Sequence, residues 1–142
     1  MDRNAEASWT GDLKSGRGNI RLGSGAFEGP YSFVSRFESG GGTNPEELLG
    51  AAHAGCFSMA LSLALTLAGH VPTSVTTTAT VHLSKVGAGF GITGIDLVTR
   101  GVVPGVSAAD FQRLAEETKV NCIISKALAA VPMKLDAQLV TG

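Results

Sequence analysis

The run from Leu48 to Ala68 carries no formal charge, and it constrains this 142-residue chain more than any other feature. Its start reads as a helix start. Asn44 can cap, Pro45 suits the first helical position, and Glu47 stands three residues after Asn44 as in a capping box. Gly69 supplies a stop and Pro72 follows, so the pattern predicts a helix from Pro45 to about Ala68. A helix apolar on every side is either buried all round or crosses a bilayer. The acidic leading flank, the lack of flanking Lys or Arg, and the diluting His53, Ser58, Ser62 and Thr66 favour burial, and no membrane association is expected. So short a chain can hardly cover such a helix on all sides, which makes a second subunit its natural cover. Ala51 and Gly55, four apart, would let another backbone come close.

The flanking sequence is largely β. A short strand is expected over Gly18–Leu22. Tyr31, Phe33, Ser35 and Phe37 alternate with Ser32, Val34, Arg36 and Glu38, which reads as a strand with Arg36 on the face opposite the aromatics. Gly29-Pro30 is read as a turn. Val75, Thr77, Ala79, Val81 and Leu83 alternate with polar residues, Gly87–Gly91 turns the chain, and Ile92–Val103 returns. Ser107 opens a helix through Lys119 with Phe111, Leu114, Ala115 and Thr118 on one face. A helical piece near Ser125–Ala130 and a strand from Met133 to Leu139 complete the order. The expected class is α+β, with antiparallel sheets around a long central buried helix, no βαβ unit, and one domain over residues 1–142.

Eleven basic against twelve acidic residues, a net charge of −1 and a pI near 6.3 exclude an electrostatic nucleic-acid binder. The opening MDRNAEASWTGDLK lacks the basic and apolar regions of a signal peptide, so a cytoplasmic location is expected. There a pair of thiols is more often catalytic, redox-sensing or metal-bound than structural.

Cys56 lies inside the apolar run and Cys122 far downstream, in VNCIISKAL. Each has an inert reading as a small buried side chain. Reaction of Cys56 with peroxide would need a thiolate, and a free thiol is mostly protonated at neutral pH. Cys56 stands about three turns into the helix, beyond the reach of its dipole, so a cation is required. Arg36 offers a permanently charged fork, although a surface ion pair with Glu38 is its plainer reading. Glu47 reads as the capping-box residue. A metal site built from Cys56, Cys122 and one of His53, His70 or His82 is weakly supported, since no CxxC or HxxxH spacing occurs. Phosphate-loop, GxSxG and dinucleotide motifs are missing too.

The block TNPEELLGAAHAGCFSMAL closely resembles the central helix of the OsmC/Ohr family of thiol-dependent peroxidases. ASWTGDLKSGRGNI, YSFVSRFE and the late Cys122 follow that family's order, and SRFE places the resemblance nearer the OsmC branch. The resemblance implies an intertwined homodimer with sites at the subunit interface. It implies Cys56 as peroxidatic thiol, Cys122 as resolving thiol, Arg36 as activating cation and Glu46 as the carboxylate orienting Arg36. It also implies reduction of organic hydroperoxides, and less readily hydrogen peroxide, through a Cys56–Cys122 disulfide recycled by a dithiol such as a lipoyl group, with no metal, flavin or haem. Many members carry proline after the second cysteine, where this chain has Ile123. Ten residues of helix put Glu46 about 15 Å from Cys56 along the axis. If Glu46 holds the arginine that serves Cys56, it comes from the other subunit, or the helix breaks near Gly50 or Gly55. The competing function is a redox sensor or binding module, switched by the same disulfide without turnover.

Overall fold

Three short strands open the computed structural model, which describes residues 1–141. β1 (Ala5–Thr10), β2 (Arg17–Leu22) and β3 (Glu28–Tyr31) form an antiparallel sheet in that order. The Asp12 carboxylate builds the first turn by accepting from the backbone N–H groups of Lys14 and Ser15, both at 2.9 Å. Gly29 and Pro30, expected as a turn, lie instead within β3. This is an edge strand, where a missing N–H need not cost a ladder bond.

The strand expected across Tyr31–Glu38 stops at Tyr31, and Phe33–Phe37 is a short helix, α1. The reason is local. Ser32 Oγ accepts from Ser35 N–H at 3.1 Å, and Ser35 Oγ accepts from Ser32 N–H at 2.9 Å, a reciprocal cap that starts a helix. Phe33 and Phe37 then fall one turn apart, with ring centroids separated by 4.9 Å.

Helix α2 spans Pro45–Leu67 without interruption, as its start and stop signals predict. Asn44 Oδ1 accepts from Glu47 N–H at 2.8 Å, whereas the Glu47 carboxylate takes the Thr43 hydroxyl at 2.7 Å. At the far end Gly69 adopts φ +91°, and His70 N–H bonds to Leu65 O at 2.9 Å to close the helix.

The chain divides into two compact units, Met1–Leu48 and Leu49–Gly142. In the second, β4 (Ser74–Val86) and β5 (Gly89–Val102) pair antiparallel, with an irregularity at His82/Leu83. β6 (Met133–Leu139) runs parallel to β5, from Ile95 opposite Met133 to Gly101 opposite Leu139. The expectations of antiparallel pairing throughout and of no βαβ unit therefore both fail at this strand, since β5, the intervening helices and β6 form a parallel crossover. The connection holds α3 (Ala108–Asn121) and α4 (Ile123–Ala127), long enough to carry the chain back for a parallel return. The class is α+β with one antiparallel and one mixed sheet.

Phe57, Leu61 and Leu65 of α2 pack with Ile95 and Leu97 of β5 and with Phe111, Leu114 and Ala115 of α3. Two glycines permit this packing. A Cβ on Gly101 would stand 2.4 Å from a Phe111 ring carbon, and one on Gly50 would stand 3.1 Å from Ala79 O. The close backbone approach is thus at Gly50, while Gly55 faces open space. The opposite face of α2 exposes Met59 (77%), Leu63 (60%) and Leu67 (79%), each one turn from the next. Within one chain, then, the helix is not buried all round, because a sheet and a helix cover only part of a cylinder. Leu61, fully buried, is a test of this core. We expect Leu61→Ala to cost about 2–5 kcal/mol, measured by urea unfolding.

Candidate active site

Cys56 and Cys122 meet. Cys56 sits mid-way along α2, beside the buried Phe57, and Cys122 occupies the break between α3 and α4, its N–H bonded to Thr118 O at 2.9 Å. The two Sγ atoms are 2.9 Å apart, and both thiols are free. Cys122 is 1% exposed, whereas Cys56 is only half-buried. A cavity of about 160 Å³ opens beside Cys122, bounded by Ala60, Ala64, Glu117, Thr118 and Asn121.

The environment treats the two thiols differently. Burial pushes the Cys56 thiol up, the hydrogen bond shared with Cys122 adds to this, and the backbone amides of Ile124 and Ile123 oppose it. None of these influences is a cation. Burial also works against ionising Cys122, but hydrogen bonds from the Cys56 thiol, the Ser125 backbone and the Ser125 hydroxyl outweigh it and draw its pKa down.

Behind Cys122 lies a polar contact that sequence reasoning missed. His53 Nε2 is 2.8 Å from Ser125 Oγ, with both residues buried. Ser125 follows Cys122 by three residues, the only signal the sequence carries for it. Among the described residues no three His, Cys, Asp or Glu side chains gather as metal ligands. His82 is instead paired with Asp96 at 2.8 Å, and His53 with Ser125.

Arg36 and Glu46 also meet, within the first unit. Arg36 Nε lies 3.2 Å from both Glu46 oxygens, and Nη2 lies 2.8 Å from Oε1, a two-pronged grip. Arg36 therefore engages Glu46 instead of Glu38, and it does so from α1 instead of a strand. Asn44 sets the spacing: its Oδ1 caps α2 while its Nδ2 donates to Ser35 O in α1 at 3.0 Å. The Arg36 guanidinium also stands 5.2 Å from the centre of the Phe37 ring. Arg36 lines a cavity of about 430 Å³ with Trp9, Leu13, Tyr31, Phe33 and Phe37.

The family model for OsmC-like protein matches residues 38–136, a segment holding Glu46, Cys56 and Cys122 but starting just after Arg36. This chain belongs to the OsmC-like family. It is 50% identical over 140 residues to Peroxiredoxin OsmC of Escherichia coli (strain K12), covering 98% of this chain and 97% of that protein. It is 35% identical over 89 residues to an organic hydroperoxide resistance protein of Xanthomonas axonopodis pv. citri, covering 62% of this chain and 61% of that one. Among solved structures, the organic hydroperoxide resistance protein OhrB of Bacillus subtilis superposes with a TM-score of 0.71 at 23% identity, covering 96% of this chain and 98% of that one. The OsmC/Ohr fold expected from the resemblance is the fold observed.

His53 gives the site a pH signature. Burial pushes its imidazole below the ordinary value near 6.5, so the folded chain keeps it neutral where the unfolded chain takes up a proton. The unfolded state then binds more protons in the window below about pH 6.5, and stability falls as pH drops through it. We expect urea midpoints to decline from pH 7 to 5.5, and His53→Gln to flatten that decline.

Proposed function

We propose that this OsmC-like chain is a thiol-dependent peroxidase that reduces organic hydroperoxides. The observation that carries the reading is the 2.9 Å approach of two free thiols sixty-six residues apart in sequence. The names of its relatives, a peroxiredoxin and organic hydroperoxide resistance proteins, support it. The family match spans residues on both sides of the Leu48/Leu49 boundary, which supports reading residues 1–142 as one functional domain.

We take Cys56 as the peroxidatic sulfur, because it is the more exposed of the two thiols. Its thiolate attacks one peroxide oxygen, the O–O bond breaks, an alcohol leaves, and Cys56 becomes a sulfenic acid. Cys122 then displaces hydroxide from that sulfur to form the disulfide, and the hydroxide leaves as water. A dithiol, for which a lipoyl group is our candidate, reopens the bond by two exchanges. The aromatic cavity beside Arg36 is suited to an alkyl chain, which favours organic hydroperoxides over hydrogen peroxide.

Burial leaves Cys56 a poor thiolate until a cation reaches it. We assign that cation to Arg36, held in aim by Glu46. Glu46 and Cys56 share one uninterrupted helix, ten residues and about 15 Å apart, so the alternative of a helix break has no support. The Arg36–Glu46 pair therefore serves the Cys56 of a second subunit. The exposed Met59, Leu63 and Leu67 stripe supports a homodimer in which that subunit covers α2. By length and composition alone α2 would also suit a bilayer, but its other face is committed to the core. The enzyme so read needs neither nucleic acid nor membrane.

With excess dithiol and an alkyl hydroperoxide, we expect sustained turnover that Cys56→Ser abolishes. Cys122→Ser should instead stall with oxidised Cys56 detectable by mass spectrometry; consumption stopping after one equivalent in the parent chain would mean a sensor. Mixing Arg36→Ala chains with Cys56→Ser chains should give heterodimers with about half the activity of the parent dimer, whereas inactive heterodimers would place the arginine in the same subunit as its cysteine.

A further inference from the structure

The cycle above uses two sulfurs and a cation, yet two polar side chains are sealed behind Cys122 with no part in it. His53 is 0% and Ser125 3% exposed. Burying such groups is unfavourable unless hydrogen bonds replace those lost to water. They have one bond to each other, at 2.8 Å, and His53 Nδ1 has no partner among the described residues.

The orphan nitrogen fixes the direction of the hydrogen bonds. Neutral imidazole carries one proton, on either nitrogen. On Nδ1 it would be a buried donor without an acceptor, and the single Ser125 proton would be drawn to Nε2. On Nε2 it is donated to Ser125 Oγ, only an acceptor stays unpaired, and the Ser125 proton is released toward Cys122. Unmatched buried donors are the rarer defect. The second arrangement leaves the Ser125 hydroxyl proton free for Cys122, which caps α4 three residues before Ser125, and the Ser125 side chain favours ionisation of that sulfur. Burial keeps His53 neutral, so the ring does not act as an acid.

We propose that His53 and Ser125 are positioning residues for resolution, a buried chain from His53 Nε2–H to Ser125 Oγ and from Ser125 Oγ–H to Cys122 Sγ that steadies the resolving sulfur as a thiolate aimed at oxidised Cys56. The proposal rests on the reading of Cys122 as the resolving thiol. In the step concerned, Cys122 Sγ gives an electron pair to Cys56 Sγ, the S–O bond of the sulfenic acid breaks, and hydroxide leaves, joining the proton Cys122 released to make water. The Cys122 sulfur is oxidised and the sulfenic sulfur reduced, each to the disulfide level. Neither Ser125 nor His53 loses its proton; both remain donors. The other ionisable groups around Cys122 are Cys56 on α2, Glu117 across the small cavity and bonded to Arg113 at 3.0 Å, and Lys126 on α4.

The test uses the full chain carrying Cys56→Ser, so that Cys122 titrates alone, with thiolate ultraviolet absorbance followed against pH. Ser125→Ala and His53→Leu should each raise the Cys122 ionisation by about one pH unit. Ser125→Thr and His53→Gln, which keep a hydroxyl and an N–H donor, should stay near the parent. An unmoved titration in Ser125→Ala overturns the proposal, whatever the chain does with peroxide. Should Ser125→Ala fail to fold, the contrast between His53→Leu and His53→Gln decides in the same way. In chains with Cys56 intact and one equivalent of alkyl hydroperoxide, Ser125→Ala should slow disulfide closure relative to sulfenic acid formation by about tenfold. If the titration moves but the parent chain never forms a disulfide with peroxide, the relay stands and the peroxidase reading falls.

Discussion

Helix α2 is the constraint on which the rest depends. Glu46 in its first turn holds Arg36, His53 holds Ser125, and Cys56 holds Cys122. Its uncharged sequence lets one face sink into the β5 and α3 core, and that burial fixes the rotation about the axis that aims each polar group. A helix with charges scattered around it could bury only one narrower stripe. It would then lack the exposed apolar stripe of Met59, Leu63 and Leu67.

The same burial that places Cys56 also makes it hard to ionise, and the chain treats its two sulfurs differently. Cys122 is supplied from close by, by backbone amides and by a hydroxyl. No such donor set offsets burial at Cys56; elsewhere in the chain the Arg36 guanidinium is held by Glu46 in a bidentate grip, which fixes direction as well as charge. Neutral donors can stay in place whatever the state of the sulfur, whereas a charged group must be compensated wherever it is buried.

Much of this could be read from residues. Asn44, Pro45 and Glu47 fix the start of α2, Gly69 fixes its end, and Ser107 with Phe111, Leu114, Ala115 and Thr118 fixes α3 and its buried face. The failures have identifiable causes. At Tyr31–Glu38 the alternating pattern and the Ser32–Ser35 cap compete, and a reciprocal pair of hydrogen bonds outweighs a period of two that has no partner strand to use it. The parallel return of β6 is invisible in its own alternation, because strand direction is set by the length of the preceding crossover. Cys56, Cys122 and Arg36 stand out in the residues themselves, whereas their roles and that of Glu46 come from the family resemblance; Arg36 and Glu46 are found gripping one another. Ser125 carries no motif, since its meaning comes from a histidine seventy-two residues away.

The crossover between β5 and β6 has a consequence for the life of the protein before it is folded. Because Cys122 sits in that late connection, Cys56 leaves the ribosome sixty-six residues ahead of the sulfur it will meet. At ordinary synthesis rates this is an interval of about 3–13 s, in which the earlier thiol has no mate to close on. In the exposed nascent helix that thiol is mostly protonated at neutral pH, and so slow to react with oxidant. Protonation thus acts as a safety catch, keeping the sulfur in its less reactive form until the chain that carries its mate is complete.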